Sequence, residues 1–339
     1  MEKSNIKSNW PLIGNGHIFE FLSKSLAKKN ISGSYIFTGP ANLGKTTAAN
    51  WFAQSLVCSD ADSSRKPCGK CSSCLEAKKN IHSDIYLIKK EVDKKNISVD
   101  QVRDFIRSLS MSSFLNSYKI GIIKGAENLS EGAVNALLKT LEEPKIKVVI
   151  ILTVTDFGAL PKTIISRSQV LNFRAVASDI IYDELVENYK SSRSQAKNFS
   201  RLAAGRPALA IKFFQDKEYY ENYKIYVESF TGLLSSDINE RFNAIENILG
   251  KEARGQEAVK SAIVIINVWQ NLTRDLMLIK LNLIDLIQHE AFIKELEESK
   301  NKLNLSAILN LINTFKKSRK YLAANVNPKM VLENVAISF

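Results

Sequence analysis

The sequence predicts an α/β domain that binds a nucleotide, followed by helical segments. Three observations predict this fold class: a complete phosphate-binding loop, alternating strand-like and helix-like segments as far as about residue 174, and helical periodicity without strand patterns beyond about residue 217. Such alternation is typical of a parallel sheet with helices on both faces. At 339 residues the chain is long enough for about two or three domains. We divide it into a nucleotide-binding domain at 1–174, a small helical lid at 175–216 and an all-α domain at 217–339.

The phosphate-binding loop is the first specific signal. Residues 39–46 read G-P-A-N-L-G-K-T, after an apolar β-rich run at 34–38 and before a helix-forming segment at 47–53, which is the context that the motif requires. Backbone N–H groups of such a loop converge on phosphate oxygens, Lys45 neutralises the β- and γ-phosphates, and the Thr46 hydroxyl binds Mg²⁺. ATP or ADP with Mg²⁺ is the candidate cofactor, and a glycine-rich turn without a ligand is the alternative. The expected nucleotide contacts are Gly39, Pro40, Ala41, Asn42, Leu43, Gly44, Lys45, Thr46 and Thr47.

The strand that should supply the acidic partner of this loop ends in Lys124 and Gly125. Enzymes with such loops place a carboxylate at that strand end to hold the Mg²⁺ shell, commonly with a second acid that polarises the attacking water. A lysine there would repel Mg²⁺. The next acid, Glu127, lies three residues further on, and we interpret it as a solvated residue before the next helix; the alternative is that it reaches back. We therefore expect a chain that holds a nucleotide but has weak or absent ATPase activity.

Net charge and hydropathy restrict the class of protein. The formal charge of +12 favours a polyanionic partner such as DNA, although a generally basic proteome would give the same excess. The sequence has no run of about 18 apolar residues and no signal-peptide core. We expect a soluble, cytoplasmic protein without a membrane partner.

All four cysteines lie within seventeen residues, in the pattern C-x9-C-x2-C-x2-C. Thiolates at these spacings can converge on one metal ion, so we predict a structural Zn²⁺ site in a zinc module at 58–80, inserted after the first helix that follows the loop. A disulfide framework is the alternative, which a cytosolic chain disfavours. His82 could replace one thiolate, but we interpret it as an ordinary surface histidine. The predicted ligands are Cys58, Cys68, Cys71 and Cys74.

A second helix and strand lead to another candidate nucleotide contact. The segment 135–144 is predicted to be an amphipathic helix that ends at Pro144, and 148–153 is predicted to be a buried strand. Thr155 follows at the strand end, where its hydroxyl can contact a γ-phosphate.

Arg167 is a candidate arginine finger. It follows a helix that begins at Pro161, from which its guanidinium could reach the phosphates of a neighbouring subunit. Arginine fingers contribute about 10³ to 10⁵ in rate. A surface ion pair is an equally good interpretation of this residue.

The all-α region contains an apolar stripe with three- and four-residue steps, which is typical of a helix packed against a core. The stripe consists of Val259, Ile263, Ile266, Trp269, Leu272 and Leu276.

Four features, in this order and spacing, resemble the AAA+ clamp-loader subunits of bacterial DNA polymerase III: the loop G-P-A-N-L-G-K-T, the four-cysteine insertion, N-A-L-L-K-T-L-E-E-P at 135–144, and S-R-S at 166–168. The resemblance covers about residues 8–215. It implies an AAA+ nucleotide-binding domain, a helical lid, and a C-terminal collar that holds a pentameric hetero-oligomer together. It also makes Arg167 a finger that acts in trans on ATP held by a neighbouring motor subunit, and it places Ile13 near the adenine. Ser168 departs from the cysteine usual in the family.

Within this family the chain resembles the delta prime type, because the motor type, gamma/tau, has an Asp-Glu pair where Lys124 and Gly125 stand. The resemblance implies a stator that helps to load a sliding clamp onto primer-template DNA during replication, with gamma/tau and delta subunits as partners. A gamma/tau-like ATPase motor is the main alternative. A stand-alone DNA-binding protein with a phosphate-binding loop is a more distant alternative, and it would show steeply salt-dependent DNA affinity.

Overall fold

The structure is a computed structural model that describes residues 10–91, 94–111, 113, 117–143, 146–250 and 255–339. The chain forms two compact units, which we describe separately. Unit 1 consists of Met1–Ile180 and Arg206–Ala208, and unit 2 consists of Ile181–Gly205 and Leu209–Phe339.

Unit 1 is an α/β unit built on a parallel sheet. In chain order its elements are α1 (Gly16–Ala27), β1 (Ser34–Thr38), α2 (Lys45–Val57), α3 (Ser72–Lys78), β2 (Ile85–Lys89), α4 (Val99–Ser110), β3 (Lys119–Lys124), α5 (Glu131–Glu142), β4 (Val148–Val154), α6 (Lys162–Ile165) and β5 (Gln169–Asn172). Within the described residues the sheet has five strands in the order β2-β3-β4-β1-β5, and every pair is parallel. The predicted parallel sheet is therefore confirmed.

The core of unit 1 lies on both faces of this sheet. Every residue of β1 is buried, and its side chains alternate between two hydrophobic clusters. Tyr35 and Phe37 belong to the cluster that includes α1 and α2. Ile36 belongs to the cluster that includes α4 and α5. A strand covered on both faces must be apolar at successive positions, which explains the continuous apolar run that predicted it.

Three strand ends meet at one edge of the sheet. Residue pairing places Thr38 of β1 opposite Val154 of β4, and Thr153 of β4 opposite Lys124 of β3. Loops that follow these ends therefore share the same edge. In open α/β sheets, ligands bind at the carboxyl ends of the strands, where the strand order reverses.

Helices α4 and α5 begin at side-chain caps. Ser98 and Gln101 form a capping box at the start of α4, and the Ser130 side chain accepts the Ala133 N–H at the start of α5. Such caps satisfy N–H groups that have no partner within the helix. Helix α5 begins before the predicted start at residue 135, and Pro144, its predicted end, lies outside the described residues.

Unit 2 is helical, and the residues described in it contain no strand. Its elements are α7 (Ser178–Glu187, which begins in unit 1), α8 (Arg193–Leu202), α9 (Pro207–Gln215, which also begins in unit 1), α10 (Lys217–Leu233), α11 (Ile238–Leu249), α12 (Gly255–Lys280), α13 (Ile293–Ser299), α14 (Leu305–Ala323) and α15 (Pro328–Ile337). This agrees with the predicted helical C-terminal part.

Helix α12 carries the apolar stripe, and most of that stripe is core. Trp269 is fully buried, and its indole N–H donates a hydrogen bond to the Tyr226 carbonyl at 3.0 Å. Ile266, Leu272 and Leu276 are also buried, whereas Ile263 is 38% exposed. Among the described residues, no helix has the length and apolar content needed to span a bilayer.

Candidate nucleotide site and cysteine cluster

The phosphate-binding loop connects β1 to α2 in a conformation suited to anions. Gly39, Asn42 and Gly44 have positive φ values of 137°, 65° and 86°. The N-cap of α2, Gly44, makes no side-chain cap, and no acidic residue lies in the first turn. Helix N–H groups at that end are therefore available to phosphate oxygens, and the helix dipole favours negative charge there.

Lys45 is folded into the loop. Its side chain is buried, and Nζ donates hydrogen bonds to the Gly39 carbonyl at 2.5 Å and the Pro40 carbonyl at 2.6 Å. Burial lowers the pKa of Lys45 to about 8, against the opposing effect of the Glu127 charge, which raises it. An ammonium held in this way is ready to exchange its carbonyl partners for phosphate oxygens.

A cavity of about 290 Å³ opens beside the loop and extends to the ends of β3 and β4. Of the predicted nucleotide contacts, the structure brings seven to its wall: Ala41, Asn42, Gly44, Lys45, Thr46, Thr47 and Thr155.

The other four predicted contacts are outside the lining of this cavity. Gly39 and Pro40 hold Lys45 through their carbonyls, and Gly39 also lies so close to the Phe173 carbonyl that a Cβ would collide with it. Leu43 packs in the core beside α2. Ile13 is half-buried, and its neighbour Leu12 packs against Gly44.

The end of β3 presents an ammonium to the cavity. Lys124 is exposed and lines the cavity wall, and Gly125 follows it at φ 72° with its N–H donating to the Thr153 carbonyl at 3.0 Å. The Mg²⁺ shell of a hydrolysing site needs a carboxylate at this position. A lysine ammonium has no lone pair to offer and repels a cation, so this strand end does not fit Mg²⁺.

Glu127 lies in the cavity wall, so its interpretation as a solvated residue was wrong. Its Oε1 accepts hydrogen bonds from the Thr155 N–H at 3.2 Å and from the Thr155 hydroxyl. Its Oε2 is buried and has no hydrogen-bond partner among the described residues. The cause is local: Gly125 is left-handed and starts a short 3-10 turn at Ala126–Asn128, which brings Glu127 back towards the cavity.

Arg167 lies between α6 and β5 at the surface of unit 1. Its Nη2 is 3.0 Å from Oε1 of Glu142, and its Nη1 donates to the Thr163 carbonyl at 3.0 Å. The side chain remains 36% exposed. Next to it, the Ser168 and Ser34 hydroxyls are 2.8 Å apart, which ties this segment to β1. The surface ion pair is thus present, with the guanidinium still reachable by solvent.

The four cysteine sulfurs form one cluster. The Sγ atoms of Cys58, Cys68, Cys71 and Cys74 all lie within 4.8 Å of one another, and all four thiols are free. The distance between the Cys68 and Cys74 sulfurs is 3.9 Å. A tetrahedral site with Zn–S bonds of about 2.3 Å has sulfurs about 3.8 Å apart, so the cluster fits a metal ion of this kind.

Backbone N–H groups support the sulfurs. The Cys71 N–H donates to the Cys68 sulfur and the Cys74 N–H donates to the Cys71 sulfur, each at 3.4 Å. Burial raises the pKa of Cys71, but hydrogen bonds from Ser59 and Cys74 outweigh it and lower this pKa to about 6. Burial raises the pKa of Cys74.

His82 lies outside the cluster and is not a surface histidine, which corrects our interpretation. It is 4% exposed, and its Nδ1 accepts the Asp84 N–H at 3.0 Å. Asp84 is itself buried and lies 3.7 Å from the Lys119 ammonium. Because Lys119 belongs to β3, which lies far from Asp84 along the chain, a local sequence pattern could not reveal the burial.

Comparisons with known proteins agree with this fold. The family described as DNA polymerase III, delta subunit, matches residues 14–177. The chain is 37% identical over 171 residues to the DNA polymerase III subunit tau of Bacillus subtilis, which covers 50% of this chain and 30% of that protein. It is 34% identical over 195 residues to the delta' subunit of Haemophilus influenzae, covering 56% of this chain and 57% of that protein. The chain thus spans less than two thirds of both relatives.

One solved structure adds a likeness over nearly the whole chain. A gamma subunit-related protein of DNA polymerase III from Thermotoga maritima has a TM-score of 0.51 at 17% identity, and the match covers 94% of this chain and 97% of that one. At this identity the likeness concerns the fold: an α/β P-loop AAA+ fold with a helical C-terminal part. The matched family and both relatives are parts of bacterial DNA polymerase III, and this chain is similar to them.

Proposed function

We propose that this chain is a delta prime-like subunit of the bacterial DNA polymerase III clamp loader, a stator that binds nucleotide but turns it over slowly or not at all. The observation that carries the proposal is Lys124, which lines the cavity at the strand end where a motor subunit needs a carboxylate. The developing charge of phosphoryl transfer is neutralised by metal ions that such acids hold. An ammonium in their place supports binding of a phosphate chain and opposes recruitment of the metal.

In this proposal Arg167 acts in trans on ATP held by a neighbouring motor subunit. Its 36% exposure and its place at the end of a short surface helix support the role. The ion pair with Glu142 would orient the guanidinium before assembly. Because an exposed pair of this kind contributes only about 0–1 kcal/mol, the guanidinium could exchange Glu142 for a phosphate of the neighbour's ATP. Arginine fingers contribute about 10³ to 10⁵ in rate, so the neighbour's turnover should depend on this residue.

The partners follow from the clamp-loader assignment. They are the gamma/tau and delta subunits of a pentameric hetero-oligomer, the sliding clamp and primer-template DNA. The net charge of +12 supports contact with a polyanion. We further propose that 175–216 acts as the lid and 217–339 as the collar through which subunits assemble.

The cysteine cluster is proposed to hold a structural Zn²⁺. Four thiolates leave no open position on the metal, so the ion would stabilise the module at 58–80 without taking part in chemistry. Metal analysis of protein purified under reducing conditions tests this proposal. About one zinc per chain is expected, and its absence would remove the assignment.

The stator role is tested in two assays. The chain alone, compared with Lys45→Ala, should bind ATP or ADP without appreciable turnover. A clamp loader assembled with Arg167→Ala should form normally and lose most of its DNA-stimulated ATPase activity. The matched control is Arg65→Ala, which removes another exposed, ion-paired arginine of unit 1 and should leave turnover unchanged. Unchanged turnover in the Arg167→Ala loader would remove the finger role.

A gamma/tau-like motor is the second candidate function. The complete loop and the Glu127 carboxylate in the cavity wall favour it, as does the similarity to a tau subunit. Brisk ATP turnover by the isolated chain, lost in Lys45→Ala, would establish the motor and overturn the stator.

A further inference from the structure

We propose that the cavity beside the phosphate-binding loop takes a nucleoside diphosphate in preference to a triphosphate, because Glu127 occupies the end of the cavity that a third phosphate needs. This inference rests on nucleotide binding by the loop and not on the stator role. It assigns to Glu127 and Thr155 a preference for the diphosphate, which the loop motif by itself does not give.

The cavity has two ends with different chemistry. At one end Lys45 and the N-terminus of α2 offer an ammonium and free helix N–H groups, which suit the first phosphates of a nucleotide. At the other end, the carboxyl ends of β3 and β4 supply Lys124, Glu127 and Thr155. A third phosphate extends from the loop towards these strand ends, because that is where sites of this class hold the γ-phosphate.

Thr155 has no donor left for such a phosphate. Both its backbone N–H and its hydroxyl donate to the same oxygen, Oε1 of Glu127. Hydrogen bonds to a charged acceptor are stronger than those between neutral groups. A γ-phosphate could recruit Thr155 only by displacing the carboxylate from both donors.

Glu127 also places a negative charge where the third phosphate would add more. Its other oxygen, Oε2, is buried and has no hydrogen-bond partner among the described residues, so water screens it poorly. Repulsion between like charges at short range is strong when the groups are partly buried. A diphosphate that ends near Lys45 has no third phosphate to bring beside this carboxylate.

Lys124 does not reverse this preference. It is exposed at the mouth of the cavity, where solvent weakens its attraction, and it attracts the phosphates of a diphosphate as well as those of a triphosphate. The contribution that differs between the two ligands therefore comes mainly from Glu127. A site of this kind would bind ADP in preference to ATP and would therefore not act as an ATP sensor.

The test is calorimetric titration of the full chain with ADP and with the non-hydrolysable triphosphate AMP-PNP. We expect ADP to bind at least about tenfold more tightly. In Glu127→Gln, AMP-PNP affinity should rise to within about threefold of that of ADP, because the amide keeps the size and loses the charge. The control Glu131→Gln removes an exposed acid outside the cavity lining and should change neither affinity.

A second variant protects the test against a folding defect in Glu127→Gln. Thr155→Ala should leave AMP-PNP affinity unchanged or raised, whereas a Thr155 that contacts the γ-phosphate would weaken it on removal. Equal affinities for the two nucleotides in the unsubstituted chain, with both much weaker in Lys45→Ala, would overturn this inference alone. Binding of neither nucleotide would overturn the inference together with the proposed nucleotide binding.

Discussion

The carboxyl ends of β1 and β3 lie at the same edge of one sheet, yet they differ in what they offer a nucleotide. After β1 comes a complete phosphate-binding loop with a buried Lys45, and after β3 come an exposed Lys124 and Gly125. Binding of phosphates needs N–H groups and a cation, which the first end supplies. Hydrolysis also needs an acid at the second end. In the proposed stator, the first requirement would be met and the second would not, although both concern one edge of the same sheet.

Removing the cation of the β1 loop should give the largest effect. Lys45→Ala is expected to weaken ADP binding by about a hundredfold, because it deletes the charged donor buried in the loop. Titration calorimetry measures this change. Lys28→Ala removes an exposed lysine after α1 and should leave the affinity unaltered, so a loss in both variants would point to a general charge effect.

Placing an acid at the end of β3 should allow this strand end to bind Mg²⁺ beside the phosphate-binding loop. In Lys124→Asp we expect ADP affinity to become about tenfold higher with Mg²⁺ than with EDTA, because a carboxylate at this end can hold the metal. The unsubstituted chain should differ by less than about threefold between the two buffers. Lys89, which pairs with Lys124 from the end of β2, provides the control: Lys89→Asp should confer no metal dependence.

The lowered pKa of Lys45 predicts that ADP affinity at the β1 loop depends on pH. Its pKa of about 8 means that the ammonium is present below that pH and is lost above it. ADP binding favours the protonated form, so affinity should fall by about tenfold from pH 7 to pH 9, with about half of the ammonium already lost at pH 8. In Glu127→Gln the decline should begin at a lower pH, since the Glu127 charge raises the pKa of Lys45. A flat profile through pH 9 would contradict the assignment of Lys45 as the main cation.

The loop was predictable from sequence because its chemistry is local. A strand, eight consecutive loop residues and a helix carry the whole motif, and the structure brings Lys45, Thr46 and Thr155 to one cavity. The end of β3 was predictable for the same reason, since Lys124 is the last residue of the strand. Parallel strands covered on both faces can also be predicted from the sequence, because they are continuous apolar runs.

Glu127 was misinterpreted because its position depends on a backbone turn and on a distant partner. Gly125 at φ 72° redirects the chain, and Thr155 of the next strand-end segment fixes the carboxylate. The ion pair between Arg167 and Glu142 joins residues on either side of β4, so no spacing rule could have predicted it. Ile13 was placed by resemblance alone, and the cavity lining does not include it.

The cysteine cluster should have the smallest influence on the two strand ends. Cys58 follows the C-terminus of α2, whereas the phosphate-binding loop lies at the N-terminus of the same helix. This helix of 13 residues separates the two sites by about 20 Å. Removing metal with a chelator should expose residues 58–80 to proteolysis while changing ADP affinity by less than about twofold. The Gln54 side chain, which donates to the Cys74 carbonyl at 2.9 Å, connects the cluster to the far half of α2 only. A large loss of ADP affinity on chelation would mean that the cluster holds α2 in place, and the nucleotide site would then depend on more than the ends of β1 and β3.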